Sequence, residues 1–377
     1  MKYYNAHTHI FTAQYVPNNV VGIPVMNFLS RSPFGRGLAD FAGMLTFGKV
    51  KGSVERVAKF AEIGLGRSQE VIFNRLQDYY RGWGDVRFVI LMMDMEQMGA
   101  GQPLSNYETQ LHEIIQLRAR GNYRDVLLPF ICIDPRRKEF TDGAALLDWV
   151  KPFFEKYGFV GIKMYPALGY YPFDEKLDAL YGWAQERQVP ILYHCIKGVI
   201  HYRGPLEGFP PPRYPNPFHD LTIKEQEWYQ CNFTEPENYA DVLLRFPELK
   251  ICLAHYGGED EINGNGRFRG RWYEAIKRLI TTPQYRNVYT DVSFSLNDPK
   301  IFPKMLSDIQ TPLLGERILF GTDYYVVEKD KDEAMLRDEL RKFLQVNVTH
   351  NGRTMNAFDQ IASVNPSKFL TSEFYTA

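Results

Sequence analysis

The feature that most constrains the fold is an alternation of short apolar runs with longer amphipathic segments along the 377-residue chain. Eight apolar runs have the length and composition of buried strands, and segments with helical spacing separate them. Strands that alternate with helices pair in parallel through crossover connections. The count of eight favours a closed (β/α)8 TIM barrel over an open doubly wound sheet. The candidate strands are residues 3–10, 86–94, 125–134, 159–166, 189–195, 249–256, 287–294 and 317–323.

Two long insertions interrupt this alternation, and each follows a candidate strand. The first spans residues 12–52 and is rich in Gly and Pro; the second spans residues 197–235 and contains GPLEGFPPPRYPNPF. Loops that follow barrel strands lie on the C-terminal face, where active sites are built. We expect one barrel domain over residues 1–377. The second insertion serves either as a lid over substrate or as a packing surface between subunits of a homo-oligomer.

Composition and charge exclude several classes of protein. The chain has 44 basic and 45 acidic residues, which does not favour a nucleic-acid or membrane partner. The sequence has no apolar run long enough for a transmembrane helix, no signal-peptide pattern in MKYYNAHTHIF, no CxxC pair and no glycine-rich phosphate-binding motif. We therefore expect a cytoplasmic protein with free thiols that acts on a small molecule.

Histidines and one carboxylate stand at the ends of the candidate strands. His7 and His9, in NAHTHIF, are two residues apart, so both side chains point to the same face of a strand. His194 ends the fifth strand, His255 the sixth and Asp323 the eighth, and a closed barrel brings these ends together. Imidazole and carboxylate groups bind Zn²⁺ and similar divalent ions, which lower the pKa of a bound water to ~7. The pattern predicts a metal site, although Asp323 alone could cap a helix and a single histidine could be a core residue.

Further polar residues near the strand ends are candidates for contact with substrate. Lys163 and Tyr165 lie in GIKMYP at the end of the fourth strand, His201 lies in the second insertion, and Arg269 lies in GNGRFRGRW after the sixth strand. An arginine can form a bidentate ion pair with a substrate carboxylate. A solvated charged loop is the simpler interpretation of Arg269, and Lys163 could form an ordinary ion pair. His350, in the polar stretch NVTHNGR, is expected to be exposed.

The pattern resembles the amidohydrolase superfamily, and most closely the branch that includes aminocarboxymuconate-semialdehyde decarboxylase and metal-dependent hydrolases. The matching stretches, in the family's order, are NAHTHIF, FVGIKMYPALGYYP, VPILYHC, FPELKICLAHYGG, NVYTDVS, ILFGTDY and NPSKFL. The ligands that the resemblance implies for one divalent ion, by expectation zinc, are His7, His9, His194 and Asp323. His255 would face the bound water as an acid or base. A second arrangement stays open, in which a carbamylated Lys163 bridges two ions and His194 and His255 hold the second.

The resemblance implies metal-dependent chemistry without naming a substrate. Our first expectation is hydrolysis of an amide, lactone or ester-like bond in a small, carboxylate-bearing molecule. A metal-activated water would attack, Asp323 would pass its proton to the leaving group, and His255 and Lys163 would be the other catalytic residues. The alternative is non-oxidative decarboxylation of an unsaturated or aromatic acid. A third interpretation is an inactive barrel that keeps the metal for binding or structure.

Overall fold

The centre of the molecule is a sheet of eight parallel strands, hydrogen-bonded to one another in chain order. The computed structural model describes residues 1–17, 59, 62–198, 200–209 and 226–377. The strands are β1 (Lys2–Thr8), β2 (Asp85–Leu91), β3 (Leu127–Ile133), β4 (Gly161–Met164), β5 (Ile191–Tyr193), β6 (Ile251–Leu253), β7 (Val288–Asp291) and β8 (Ile318–Leu319).

The sheet closes on itself where the chain leaving β8 meets β1. Asp323 N donates to His7 O at 2.9 Å, and His9 N donates to Tyr324 O at 2.5 Å. A parallel bridge also joins Thr8 to Tyr324. The predicted TIM barrel is therefore confirmed, and the closure lies directly beside two of the predicted site histidines.

Helices cover the outside of the barrel, and several begin at capping side chains. Ser68, Asn106 and Asp142 each accept a hydrogen bond from the backbone N–H of the third residue of the helix that follows. Within the described ranges, no helix combines the length and apolarity needed to cross a membrane. The helices are α1 (Gln69–Tyr79), α2 (Tyr107–Ala119), α3 (Gly143–Glu155), α4 (Asp178–Glu186), α5 (Gln226–Thr234), α6 (Asn238–Arg245), α7 (Glu259–Ile262), α8 (Arg271–Thr281), α9 (Phe302–Gln310), α10 (Glu333–Phe343), α11 (Ala357–Asp359) and α12 (Asn365–Leu370).

Two apolar clusters hold the barrel together. The larger cluster packs the strands against the helices. The smaller cluster takes alternate residues of the strands, such as Val89, Phe130 and Leu192, and includes Phe369 of α12. Gly161 has room only for hydrogen, because a Cβ there would lie 2.3 Å from the Phe130 ring. This interior packing fills one end of the barrel, so polar side chains gather at the C-terminal ends of the strands.

All eight strands are shorter than the predicted runs, and β5, β6 and β8 end before the histidine or aspartate that the prediction placed in the strand. His255, Tyr256 and Asp323 have positive φ angles of 69°, 52° and 65°, which ends the extended backbone there. The apolar composition continues past the hydrogen-bonded ladder because the turning residues are also buried.

A hairpin that the sequence analysis did not predict follows α10. Its strands are β9 (Asn347–His350) and β10 (Arg353–Asn356). The expectation that His350 is exposed is wrong: its side chain is buried, and Nε2 lies 2.7 Å from the carbonyl oxygen of Ile309. Alternate residues of β9 face inward, so a polar stretch still buries its histidine.

Most of the first predicted insertion and the centre of the second lie outside the described residues. The division into one domain with two insertions therefore stays a prediction. In the described part of the second insertion, Tyr202 N donates to Ala167 O at 2.8 Å, so this segment packs on the loop that follows β4.

A buried polar network lies behind the closure of the barrel. Asn5 Nδ2 donates to Thr322 Oγ1 at 2.8 Å, and the hydroxyls of Tyr80 and Thr322 donate to Glu333 Oε1 at 2.7 and 3.0 Å. Burial raises the pKa of Glu333 to about 8, although these donors oppose the shift. Glu333 therefore keeps a proton at neutral pH, and the network joins β1, the C-cap residue of α1 and α10 to the chain after β8.

We expect the stability contributed by Glu333 to fall as pH rises. Its carboxyl titrates near 4.5 in the unfolded chain and near 8 in the folded protein. The contribution is therefore complete below pH 4.5 and is lost as pH rises through 8. Glu333→Gln should flatten this part of the pH profile of the free energy of unfolding, measured by denaturant titration. Glu333→Ala leaves buried donors unpaired and should cost about 1–3 kcal/mol.

Glu339→Gln is the matched control, because this glutamate lies on the same helix with its side chain 41% exposed. An unchanged pH profile in Glu333→Gln would show that Glu333 is ionised in the folded protein.

Candidate metal centre

Asp323 gathers two imidazoles around one of its carboxylate oxygens. His7 Nε2 lies 3.5 Å and His9 Nε2 3.3 Å from Asp323 Oδ1. The candidate ligand atoms of the three residues, here named the ligand trio, all lie within 4.8 Å of one another, and all three side chains are buried. The structure thus brings together residues from the two ends of the chain.

The opposite ring nitrogens fix where the protons of the two imidazoles lie. His9 Nδ1 lies 2.9 Å from Leu91 O, and a carbonyl only accepts, so Nδ1 carries the proton. His7 Nδ1 donates to Asp291 Oδ2 at 2.9 Å. When the ring is neutral, each Nε2 therefore turns a lone pair toward a carboxylate oxygen, and His7 Nε2 has no hydrogen-bond partner among the described residues. Lone pairs that converge in this way fit a shared cation, and the outer hydrogen bonds are those typical of metal-bound histidine.

Local backbone geometry places the carboxylate against β1. A Cβ at Gly321 would lie 2.7 Å from the Cβ of His7, so only glycine allows the chain after β8 to approach this closely. Asp323 follows in a left-handed conformation, and its N–H donates to His7 O. The stretch FGTD therefore folds so that its aspartate faces the histidines of NAHTHIF.

Two further imidazoles extend the cluster. The His255 ring centroid lies 4.8 Å from that of His7, and His255 Nε2 lies 3.1 Å from His194 Nδ1. His194 stacks on Tyr165 with ring centroids 4.0 Å apart. His194 Nε2 is buried and has no hydrogen-bond partner in the described part of the chain. His194 does not join the ligand trio at the 4.8 Å spacing but stands one imidazole farther on, so its role as a ligand stays a prediction.

Burial sets the charge of the cluster. Burial, followed by the neighbouring His7, lowers the pKa of His255 to about 4. Burial also lowers the pKa of His7, and burial with His255 lowers that of His194. Burial opposes ionisation of Asp323, but His9 and His7 hold its pKa well below the ordinary value. Neutral imidazoles beside an ionised carboxylate are the protonation states that a divalent ion requires.

Sequence reasoning missed two residues at the end of β7, namely Asp291, the last residue of the strand, and Ser293 just after it. Asp291 accepts from His7 Nδ1 and, through Oδ1, from His255 N at 3.1 Å. Ser293 Oγ lies 3.0 Å from His7 Nδ1 and 2.9 Å from His255 Nδ1. Atoms of His7, His255 and Asp291 form a second group with metal-like spacing, although His7 faces Asp291 through its protonated nitrogen. The signal was present in NVYTDVS, where an aspartate ends the seventh strand as Asp323 ends the eighth.

Lys163 lies in β4 and is completely buried. Its Nζ has no hydrogen-bond partner among the described residues and lies 5.4 Å from the ring centroid of Tyr165. Burial lowers its pKa to about 8, while Asp323 and Asp291 act in the opposite direction. The ordinary ion pair that the sequence left open is not formed within the described residues.

The other two candidates for substrate contact lie in different environments. His201 is buried in the second insertion. Arg269 is exposed in a tight turn, in which its N–H donates to Gly266 O at 2.8 Å. The nearby Arg271 pairs with Glu235 at 2.9 Å. No hydrogen bond or ion pair joins Arg269 to the histidine cluster within the described residues, so its contact with substrate stays a prediction.

Solved structures of TIM-barrel proteins resemble this fold at low sequence identity. An uncharacterised TIM-barrel protein of Bordetella bronchiseptica is 14% identical over 98% of both chains, with a TM-score of 0.53. A 5-carboxyvanillate decarboxylase of Novosphingobium aromaticivorans, in complex with manganese and 4-hydroxy-3-methoxy-5-nitrobenzoic acid, is 14% identical over 98% of this chain and 96% of its own, with a TM-score of 0.55. A 4-oxalomesaconate hydratase of Rhodopseudomonas palustris is 16% identical over 98% and 95%, with a TM-score of 0.50. No curated protein matches the chain significantly.

The sequence profile of the family described as amidohydrolase matches residues 112–353. This range covers more than half of the chain and includes Lys163, His194, His255 and Asp323. The buried His/His/Asp trio can hold a divalent ion, as expected for an enzyme of this kind. The chain therefore belongs to the amidohydrolase family, in the branch that its motifs resemble.

Proposed function

We propose that this protein is a metal-dependent enzyme that removes CO₂, without oxidation, from a small aromatic or unsaturated carboxylic acid. The observation that carries the proposal is Lys163, a buried cation with no hydrogen-bond partner among the described residues, beside Tyr165. A buried charge is costly unless an opposite charge pairs with it. A substrate carboxylate would supply that charge, and the Tyr165 ring offers a face for an unsaturated or aromatic body.

The solved structures favour this reaction over hydrolysis, which was our first expectation. One similar structure is a decarboxylase with manganese and a substituted benzoic acid, and another is a hydratase. By their names, both enzymes act on carboxylic acids rather than on an amide or ester bond. The presence of manganese in the decarboxylase also leaves zinc as only one candidate, so we propose a divalent ion whose identity elemental analysis must decide.

The ligand trio would hold this ion, and His194 would approach it through Nε2. When bound, a divalent ion supplies Lewis-acid polarisation of a substrate oxygen. We propose one ion per chain, because the 3.1 Å contact between His194 Nδ1 and His255 Nε2 joins two rings that a two-ion site would need as ligands. A carbamylated Lys163 would in turn lose the positive charge that the proposal assigns to it.

Lys163 is suited both to pair with the carboxylate and to give up a proton. With a pKa of about 8 it is protonated at neutral pH, yet close enough to that pH for proton transfer. Its proton would pass to the carbon that bears the carboxylate. The C–C bond then breaks, its electron pair stays with the organic product, and CO₂ leaves. Neutral Lys163 afterwards takes a proton from solvent, so the reaction consumes one proton per CO₂.

Hydrolysis is the second candidate, and one observation favours it. His255 stays neutral at pH 7, because its pKa is lowered to about 4, and a neutral imidazole beside the ligand trio is the form that a general base requires. In the decarboxylation proposal the same residue keeps His194 oriented instead. Decarboxylation therefore depends on Lys163 and hydrolysis on His255. Decarboxylation places a solvent hydrogen on carbon, whereas hydrolysis places a solvent oxygen in the product.

An isotope experiment separates the two reactions. With aromatic and unsaturated acids in D₂O, we expect CO₂ release together with one deuterium on the carbon that carried the carboxylate. Gas detection and mass spectrometry of the product measure both. Incorporation of ¹⁸O from H₂¹⁸O into lactones or amides, with no CO₂ from the acids, would contradict the proposal in favour of hydrolysis.

Metal analysis tests the ligand assignment. Wild-type protein should contain one divalent ion per chain by elemental analysis, whereas His7→Ala and Asp323→Ala should lose it while staying folded by circular dichroism. At saturating metal, His255→Ala should keep the ion and most decarboxylation, because His255 only orients His194 in that reaction; loss of most turnover would favour hydrolysis, in which His255 is the base. His112→Ala, at an exposed histidine on α2, is the matched control. Full metal content in both ligand variants would disprove the assigned shell, and two ions per chain would support the bridged arrangement.

Lys163→Met should lower kcat/KM for the acid substrate by more than about 100-fold, because it removes both a hydrogen bond to a charged group and the proton donor. The metal content should not change. Lys250→Met is the matched control, because Lys250 is also buried with a pKa lowered to about 8 by burial, but it donates to Thr371 O at 2.6 Å, before the start of β6. If Lys163→Met turns over like Lys250→Met, the buried cation has no role in the reaction.

A further inference from the structure

We infer that Ser293, with Asp291, fixes the position of the ring proton on three histidines, so that His7 and His194 turn unprotonated Nε2 atoms into the site. The inference rests on the metal-binding part of the proposed function and is independent of which reaction the enzyme performs. It makes Ser293 a positioning residue, since its hydroxyl contacts the Nδ1 atoms of the imidazoles and not the Nε2 atoms that would face the ion.

The hydroxyl of Ser293 can donate only once, and Asp291 takes that proton. The shortest contact of Ser293 Oγ is with Asp291 Oδ1, and the same carboxylate oxygen accepts from Ser293 N at 3.0 Å. An ionised carboxylate only accepts hydrogen bonds. The oxygen of Ser293 is therefore left as an acceptor toward every other neighbour.

Two imidazoles meet this acceptor through the same type of nitrogen. His7 Nδ1 lies 3.0 Å and His255 Nδ1 2.9 Å from Ser293 Oγ. Each Nδ1 also faces a second group that only accepts: Asp291 Oδ2 for His7, at 2.9 Å, and the carbonyl oxygen of Ser293 for His255, at 3.2 Å. Both Nδ1 atoms must therefore carry the ring proton, which leaves both Nε2 atoms with lone pairs.

The tautomer of His255 in turn determines that of His194. Because His255 Nε2 is an acceptor, the His194 Nδ1 that lies 3.1 Å away must be the donor. His194 Nε2 then has a lone pair as well. The two imidazole nitrogens of the cluster that are buried without a hydrogen-bond partner among the described residues are His7 Nε2 and His194 Nε2. The positions of the ring protons thus leave His7 Nε2 and His194 Nε2 unprotonated, and an unprotonated Nε2 can bind a metal ion.

Tautomers can be measured directly in metal-free protein. With ¹⁵N-labelled histidine and two-bond ¹H–¹⁵N correlation spectra, we expect Nδ1–H tautomers for His7, His194 and His255, with signals assigned from single His→Gln variants. An Nε2–H tautomer of His255 in the wild-type protein would overturn the inference. This measurement needs no substrate, so it stays informative if the proposed reaction is wrong.

Two substitutions separate hydrogen bonding from packing. Ser293→Ala removes the oxygen, and Ser293→Cys fills its space with a weak acceptor. Both leave His255 Nδ1 only the longer, 3.2 Å contact with the backbone carbonyl of residue 293, so part of His255 should change to the Nε2–H tautomer. Both should also bind Mn²⁺ or Zn²⁺ at least 10-fold more weakly by calorimetry, as expected when an outer hydrogen-bond partner of a metal ligand is lost. Ser295→Ala, which removes a hydroxyl bonded at 2.8 Å to the backbone carbonyl of His255, should bind metal within two-fold of wild type. Wild-type metal affinity in Ser293→Cys would show that Ser293 only fills space.

Discussion

The site depends on the convergence of imidazole lone pairs and a carboxylate at the closure of the barrel. His7 and His9 come from the first strand, Asp323 follows the last, and the backbone bonds that close the sheet run between the same residues. The site therefore assembles only when the barrel is closed. Without a cation, two lone pairs and an anionic oxygen would face one another in a buried space, which is electrostatically unfavourable. Closure of the barrel and binding of a cation should therefore stabilise each other.

Polar groups around the histidine cluster hold the ligand side chains in position. Asp291 and Ser293 hold the His7 and His255 rings, while Asn5, Thr322 and Glu333 join the strands that carry the ligand trio. Such partners orient a ligand and fix its tautomer, so they influence affinity without touching the ion. The smaller apolar cluster, made of alternate strand residues and Phe369 of α12, packs beneath these polar groups.

Much of this architecture could be predicted from the sequence, because strand periodicity and strand-end chemistry are local signals. The two-residue spacing of His7 and His9 predicted a common face, and both nitrogens point to Asp323. The pairing of His7 with Asp291 could not be predicted, since 284 residues separate them and only the closed barrel brings them together. The turns at His255 and Asp323 were also missed, because apolar composition continues beyond the ladder. His350 shows the opposite error, in which a polar stretch buries a side chain through strand alternation.

The buried lysine gives the proposal its chemical direction. A barrel of this family can support several reactions on one metal site, so the groups around the ion must decide among them. Lys163 is buried among imidazoles and carboxylates without a hydrogen-bond partner in the described residues, and under the proposed function a substrate carboxylate pairs with it.

The most direct test of the account is an anomalous X-ray difference map of crystals grown from protein purified without added chelator, recorded at the absorption edge of the metal found. We expect one peak per chain within ~2.0–2.3 Å of His7 Nε2, His9 Nε2 and an oxygen of Asp323. A map with no peak between these atoms, or with its peak at Asp291 instead, would contradict the account.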